Sequence, residues 1–260
     1  METIAVKVGA PFPWARLLQY LSHRMIPGAE RIEGSSYIRR FGDREAMVGF
    51  DESSCSLRIQ CDASIAEHTV RRVRVLFDVE HDAARIDAFL RRHEPLGQFV
   101  RACPGLRPLG TWSPFELCCR TILGQQVTVA AANTLMGRLI QRCGSLTPEA
   151  VLAADLQKLG MPGARVRTLL AFASAAKERK VNLDGSWSDI DAALAELPGF
   201  GPWTRTYLAI RLGREADAFP ASDIGLLRAV GASSSAELLQ LAESWRPFRA
   251  YAAAYLWMHG

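Results

Sequence analysis

An aspartate, Asp223, follows a glycine-rich turn in the C-terminal part of the chain, twenty residues beyond Trp203. The turn carries Gly199 and Gly201, and Pro202 is typical of the first position of a helix. Two helices joined in this way form a helix-hairpin-helix, whose glycines let a ligand approach the backbone. The N–H groups that begin the second helix can bind a phosphate without a cationic side chain. A carboxylate at the start of a following helix can stabilise a developing positive charge.

Helices that would position these residues are predicted from residue 113 onward. The segment 113–116 combines an N-cap serine, a proline at the first helical position and a glutamate three residues after the cap. Thr147 and Ser188 are predicted to open two further helices, and Ser234 with Glu237 a fourth. No strand signal of similar strength follows residue 100, so this region is predicted to be mainly helical.

The N-terminal part has a different pattern, with short strand-like runs separated by turn residues and interrupted by two helical patterns near 14–24 and 65–77. The strand-like runs are Ile4–Val8, Tyr37–Arg40, Ala46–Phe50 and Ser56–Gln60. The predicted fold class is therefore α+β. We assign residues 1–93 to a small N-terminal domain and 94–260 to a helical region that contains the hairpin at about 190–212.

The charge distribution indicates how the chain would contact an anionic partner. The net charge is +4, but residues 181–260 contain six arginines, no lysine and nine acidic residues, whereas residues 1–180 carry a net charge of +7. A phosphate contact made by the hairpin would therefore depend on backbone N–H groups.

Several classes of protein are excluded. The longest uncharged stretch, 121–137, contains glycines, glutamines, an asparagine and threonines, so we expect no membrane span. The N-terminus lacks a secretion signal, which predicts a cytoplasmic location. The six cysteines and five histidines show no metal-ligand spacing, so we expect reduced thiols and no metal site.

Three further segments carry a family resemblance that covers essentially the whole chain. They are the TILGQQVT run within 115–132, LGMP with Arg165, and WRPFRAY leading to Leu256 and Trp257. With the hairpin and Asp223, they resemble 3-methyladenine DNA glycosylase II, the AlkA type within the helix-hairpin-helix DNA glycosylases. That family also has an N-terminal antiparallel α+β domain, followed by a helical region whose two halves enclose a cleft.

The resemblance implies a monofunctional glycosylase that removes alkylated purines from double-stranded DNA by hydrolysing the N-glycosidic bond. Asp223 is then the catalytic residue, because this bond breaks through an oxocarbenium-like state that a carboxylate stabilises. No cofactor is required, although a monovalent cation held by hairpin carbonyls is compatible with the family. We expect a monomer that associates with the nucleoid.

Aromatic residues are implied as the walls of a base pocket, because a cationic base is attracted to aromatic faces. They are Trp203, Tyr207, Trp257 and Tyr20. A base within a duplex must be flipped out of the stack to reach such a pocket. The alternative for each of these residues is ordinary core packing.

The predicted DNA-contacting residues lie in two turns. They are Gln125, Gln126, Gly199, Phe200, Gly201 and Thr204. By resemblance, Gln126 stands where a side chain fills the gap left by the flipped base. Some relatives carry leucine there, and glutamine is a poorer apolar wedge. Both glutamines are equally compatible with ordinary turn residues.

Two other functions remain open at this point. A non-catalytic DNA-binding protein would use the hairpin but would need neither Asp223 nor the aromatic set. A bifunctional glycosylase/lyase for oxidised bases would need a lysine two residues past the second hairpin glycine. Trp203 occupies that position, and no lysine follows Lys180.

Overall fold

The N-terminal part of the chain forms one antiparallel sheet of five strands. The computed structural model describes residues 1–213 and 215–259. The strands are β1 (Glu2–Lys7), β2 (Glu30–Glu33), β3 (Ser36–Phe41), β4 (Arg44–Asp51) and β5 (Ser56–Cys61). Their order in the sheet is β1-β5-β4-β3-β2, with every pair antiparallel. The predicted α+β class is confirmed, and the four predicted strands lie within one or two residues of the observed ones.

One face of the sheet is covered by α1 (Trp14–Ser22) and by α2 (Ala66–Leu76), the two helices predicted from the apolar spacing. Strand β4 shows how alternation directs this packing. Ala46 and Val48 are fully buried, whereas Met47 between them is exposed. Successive side chains of a strand point to opposite faces, so a single register fixes which residues enter the core.

The described residues that follow β5 form helices joined by loops. The helices are α3 (Ala83–Leu90), α4 (Leu96–Ala102), α5 (Pro114–Leu123), α6 (Val129–Cys143), α7 (Pro148–Ala153), α8 (Gly163–Lys177), α9 (Trp187–Ala195), α10 (Pro202–Arg211), α11 (Ile224–Val230), α12 (Ser235–Ala242) and α13 (Arg249–His259). Within the described ranges, no helix is both long enough and apolar enough to span a membrane.

Side-chain caps begin the predicted helices. The Ser113 hydroxyl accepts a hydrogen bond from the Glu116 N–H at 3.4 Å, and Ser234 and Thr147 accept equivalent bonds at the starts of α12 and α7. The predicted start of α9 is wrong by two residues, because Ser186, and not Ser188, caps that helix. Either serine could be an N-cap by residue type. Ser186 is the cap because its hydroxyl accepts the hydrogen bond from the Asp189 N–H.

The chain has two hydrophobic cores, and the first of them joins segments that are far apart in the sequence. The first joins the N-terminal sheet to α11, α12 and α13, and the second is built from residues 115–212 with Ile26. Residues 96–112 pack with the first core, so it extends beyond residue 93. A buried ion pair links the two parts, with the Arg39 guanidinium 2.6 Å from the Glu116 carboxylate. Helix α10 contributes to both cores, with Leu208 in the second and Ile210 in the first.

Candidate active site

Asp223 is held by hydrogen bonds from three helices. It caps α11, and its Oδ1 accepts from the Leu226 N–H at 3.1 Å. The Trp257 Nε1–H of α13 donates to the same oxygen at 3.2 Å, and the Trp203 Nε1–H of α10 donates to Oδ2 at 3.1 Å. The carboxylate is half-buried. Three N–H donors fix its orientation.

The predicted aromatic residues meet beside this carboxylate. Trp203 and Tyr207 stack with ring centroids 5.4 Å apart and planes 9° from parallel. Trp257 meets Tyr207 edge-on, with centroids 5.7 Å apart. These three rings are half-buried, whereas Tyr20 is only 7% exposed. Tyr20 lies near them, because the Arg211 guanidinium is 5.9 Å from the Tyr20 ring and 5.6 Å from the Tyr207 ring.

Small residues allow α11 and α13 to approach closely enough for the Trp257 contact. Ala250 and Ala253 of α13 are buried in the first core. On α11, a Cβ atom at Gly225 would lie 3.0 Å from the Asp223 Oδ1 and 3.8 Å from the Trp257 ring. Glycine at this position therefore leaves room beside the carboxylate, a role that the sequence pattern did not indicate.

Arg211 was not predicted as part of the site, although its spacing of four residues from Tyr207 places both on one helix face. It is buried, and its Nη1 donates to the Tyr207 hydroxyl at 2.7 Å. Its other N–H groups donate to the carbonyls of Leu109 and Gly110. Burial alone would raise the pKa of Tyr207, but the charges of Arg211, Arg24 and Arg120 outweigh it and lower that pKa.

The two hairpin glycines have different structural roles. Gly199 has φ +83°, and a Cβ atom there would lie 2.6 Å from the Thr168 hydroxyl, so the turn requires glycine. Gly201 has φ −65° and open space where a Cβ atom would be. It caps α10 without a side-chain hydrogen bond. The N–H groups of the first turn of α10 therefore lack a side-chain cap and border open space beside Gly201.

This difference gives a prediction. Gly199→Ala should destabilise the protein by about 1–3 kcal/mol, because alanine is strained at positive φ and contacts Thr168. Gly201→Val should leave most of the stability intact but weaken DNA binding by roughly tenfold, the loss of about one hydrogen bond to a charged group. Thermal unfolding and the Kd for duplex DNA measure the two effects. An unchanged Kd in a folded Gly201→Val variant would contradict a phosphate contact at the hairpin.

The two glutamines of the α5–α6 turn point in different directions. The Gln125 Nε2 donates to the Gly199 carbonyl at 2.7 Å and lies 3.3 Å from the Thr204 hydroxyl, which ties the turn to the hairpin. Arg165 donates to the Gln125 carbonyl. Gln126 is exposed and has φ +57°, a conformation that costs a non-glycine residue free energy and that its neighbours must maintain.

Not every predicted DNA contact has an accessible side chain. Phe200 is 3% exposed and packs on Phe172, with ring centroids 5.5 Å apart. Thr204 is buried against Gln125. Their roles, and that of Gln125, stay predictions that would depend on the backbone of the turn. Gln126 and Gly201 are exposed.

A cavity of about 310 Å³ is lined by residues of α10, including Trp203, and of α12. Its lining includes Phe219, Pro220 and Leu239, so it is largely apolar. It also reaches Ser222, next to the carboxylate. Among the described residues, no group of three histidine, cysteine or acidic side chains is arranged to hold a metal ion.

Family models match both parts of the chain. Residues 3–113 match the AlkA N-terminal domain, and residues 119–240 match the HhH-GPD superfamily base excision DNA repair protein model. The boundary between these matches lies close to the start of α5.

Curated relatives match over nearly the whole chain. DNA-3-methyladenine glycosylase 2 of Escherichia coli is 30% identical over 95% of this chain and 94% of its own length. A probable bifunctional transcriptional activator/DNA repair enzyme AlkA of Mycobacterium tuberculosis is 31% identical over 98% of this chain. The chain spans 56% of the length of that relative.

Solved structures show the same fold. A 3-methyladenine DNA glycosylase from Archaeoglobus fulgidus superposes with a TM-score of 0.83 at 19% identity, covering 100% of this chain and 98% of that one. An 8-oxoguanine glycosylase/lyase from Clostridium acetobutylicum gives a TM-score of 0.78 at 15% identity, covering 100% and 97%. At these identities the likeness concerns the fold and does not distinguish between the two activities.

Proposed function

Because the chain belongs to the HhH-GPD superfamily of base excision DNA repair proteins and carries an AlkA N-terminal domain, we propose that it is a monofunctional DNA glycosylase that excises alkylated purines. The observation that carries this proposal is Asp223, held by two indole N–H groups beside a cluster of aromatic rings. A protein that only bound DNA would not need a carboxylate fixed in this way.

The proposed reaction is hydrolysis of the N-glycosidic bond. As the bond to the base lengthens, positive charge develops on the deoxyribose, and the Asp223 carboxylate stabilises it. The base leaves with the bonding electron pair, a water molecule adds to the sugar carbon, and the proton that this water loses passes to Asp223 or to solvent. Alkylation at a ring nitrogen makes the base a cation and a better leaving group, which reduces the need for a protein acid.

The aromatic cluster would receive the flipped base. A cation–π contact with Trp203, Tyr207 or Trp257 would contribute about 0.5–2 kcal/mol. Flipping costs a few kcal/mol and is easiest at a damaged pair. The lower cost of flipping favours a damaged base before it leaves the helix. The cation–π contacts favour a cationic base once it lies in the aromatic cluster.

Gln126 is proposed to fill the gap that the flipped base leaves. It is exposed at the tip of a turn that Gln125 and Arg165 anchor on both sides. Gln126→Ala should therefore slow excision from duplex DNA more than from single-stranded DNA, which has no stack to hold open. Single-turnover rates on both substrates test this, with Gln126→Leu as the variant expected to retain the plug. Equal slowing on both substrates would make Gln126 an ordinary turn residue.

Double-stranded DNA is the proposed partner. The N–H groups of the first turn of α10, which have no side-chain cap, would bind its phosphates. A monovalent cation could add to this grip by binding hairpin carbonyls. The Gly199 carbonyl already accepts from Gln125, so such a cation would use the other carbonyls of the hairpin or share that oxygen. We propose that the protein works as a monomer in the cytoplasm, associated with the nucleoid.

The direct test is release of free bases from methylated DNA, separated by chromatography. We expect 3-methyladenine and 7-methylguanine to appear in the supernatant, leaving abasic sites in the DNA. Tight binding to damaged DNA without base release would instead identify a non-catalytic DNA-binding protein.

Strand cleavage should not accompany base release. A lyase needs an amine that forms a Schiff base with the sugar, and the position two residues past Gly201 holds Trp203. Lys177 and Lys180 are the nearest lysines in sequence, and Lys180 pairs with Glu178 at the surface. Borohydride should therefore trap no covalent complex with damaged DNA, and breaks should appear only after alkali or heat. Efficient trapping would show that the water-attack mechanism is wrong.

A further inference from the structure

The turn between α5 and α6 needs firm support if Gln126 is to fill a gap in duplex DNA. Gln126 is exposed at positive φ, and Val127 and Val129 beside it expose apolar surface. A side chain that enters a duplex separates stacked bases, and the stack resists it. A non-glycine residue keeps a left-handed conformation only where the surrounding structure maintains it. Both helices that the turn connects must therefore be held in place.

One backbone carbonyl of the N-terminal domain bonds to both of these helices. His23 is the C-cap of α1. Its carbonyl accepts from the Arg120 guanidinium of α5 at 3.0 Å and from the Asn133 amide of α6 at 3.2 Å. The last carbonyls of a helix have no partner within the helix and carry the negative end of its dipole, so side-chain N–H groups bind there. The His23 carbonyl thus joins α5 to α6 on either side of the turn that carries Gln126.

The segment that presents this carbonyl, residues 23–30, is itself fixed. Ile26 is buried in the second core, to which α5 and α6 contribute, and its N–H donates to the Glu30 carboxylate at 2.7 Å. Glu30 also lies 3.5 Å from the Arg39 guanidinium, which pairs with Glu116 at the start of α5. A movement of α5 relative to the N-terminal sheet would therefore break buried contacts.

We propose that Arg120 and Asn133 are positioning residues, through which the N-terminal domain holds the α5–α6 turn and its Gln126 in place. This inference rests on the proposed glycosylase function and gives the N-terminal domain a part in the reaction on duplex DNA. Both residues act through Gln126, so their effect should disappear when Gln126 is removed.

Asn133 is the cleaner of the two residues to test. Arg120 interacts electrostatically with Tyr207, so its replacement would also change the aromatic cluster. The Oδ1 of Asn133 has no hydrogen-bond partner among the described residues, so the bond to His23 is the only one that its side chain makes there. Alanine is a better helix former than asparagine, which offsets part of the lost bond. Asn133→Ala should therefore loosen the turn with little change in overall stability.

The first experiment measures single-turnover release of 7-methylguanine from a duplex and from a single strand of the same sequence. Asn133→Ala should lower the duplex rate about fivefold, the effect of one neutral hydrogen bond, and the single-strand rate less than twofold. Added to Gln126→Ala, it should lower the duplex rate by less than a further twofold. Thr134→Ala is the matched control, because Thr134 is exposed on the same helix and its hydroxyl donates only to the Ala130 carbonyl. Its rates should equal those of the wild type.

The second experiment does not depend on activity. The N–H groups of Gly124 and Gln125 donate to the Arg120 and Ile122 carbonyls, and a looser turn would open these bonds more often. Asn133→Ala should therefore speed amide hydrogen exchange of the segment 124–128 at least threefold, whereas Thr134→Ala should not change it.

Each outcome decides the inference. A duplex rate within twofold of the wild type in Asn133→Ala, equal slowing on both substrates, or a full fivefold further loss in the Gln126→Ala background would overturn it. Unchanged exchange of the segment 124–128 in Asn133→Ala would also overturn it. If the wild-type protein releases no base, that result counts against the proposed function, and the exchange rates alone decide whether Asn133 holds the turn.

Discussion

Replacing Asp223 by asparagine should lower the rate of base excision by roughly 10²–10³-fold, the effect of removing one preorganised electrostatic contact with a transition state. The substitution keeps the size of the side chain and removes its charge. Asparagine is also a good N-cap, so the bond from the Leu226 N–H survives. The new amide –NH₂ would face one indole N–H, and that lost bond should cost about 1 kcal/mol of stability. Binding to abasic-site DNA should persist, because the phosphate contacts lie elsewhere.

Asp82→Asn is the matched control. Asp82 caps α3, and its carboxylate accepts from the Arg85 N–H at 3.1 Å, so the same chemical change occurs at an N-cap outside the cleft. Its excision rate should equal that of the wild type. Near-normal excision by Asp223→Asn would refute the assignment of the catalytic residue.

Trp257→Phe should reduce excision by roughly tenfold while abasic-site binding remains unchanged. Phenylalanine keeps an aromatic ring against Tyr207 but cannot donate to the Asp223 Oδ1. A hydrogen bond to a charged group is worth about 1.5–3 kcal/mol, and 1.4 kcal/mol corresponds to a factor of ten in rate. Trp257→Ala also removes the stacking surface, so its loss of excision should be larger. Tyr207→Ala should likewise affect excision more than product binding.

Trp245→Phe separates positioning of the carboxylate from packing. Trp245 is fully buried in the first core, and its indole N–H has no hydrogen-bond partner among the described residues. Its replacement should lower the melting temperature with little change in the excision rate of the folded protein. If Trp257→Phe behaves in the same way, or loses excision and abasic-site binding equally, Trp257 is a core residue.

Local signals explain why much of the fold could be predicted from the sequence. A cap such as Ser113 and the alternation in β4 act over three or four residues, so they can be read without tertiary context. β2 was missed because Glu30–Glu33 carries three charged residues in four and becomes a strand by pairing with β3. The residues of β2 therefore carry no strand pattern of their own, and only the pairing with β3 makes them a strand.

The sequence predicted which residues belong to the candidate site but not the hydrogen bonds that join them. Tyr207 follows Trp203 by one helical turn, so their stacking is implied by spacing. The bonds from both indoles to Asp223 span 20 and 34 residues and depend on how three helices pack. The hydrogen bond from Gln125 to the Gly199 carbonyl and the approach of Arg211 to the Tyr20 ring have the same origin, because each joins segments that are brought together only by the tertiary fold.

The first core has a consequence for synthesis on the ribosome, because it joins the two ends of the chain. The sheet is complete at Cys61, but α13, which packs in the same core and whose Met258 carbonyl accepts from Arg16, is translated much later, from Arg249 onward. At about 5–20 residues per second, the sheet would wait roughly 10–40 s for its partner. The second core lies within 115–212 and can fold during that interval. A nascent chain would thus fold from its middle, and the carboxylate would gain its second indole only after Trp257 has been synthesised.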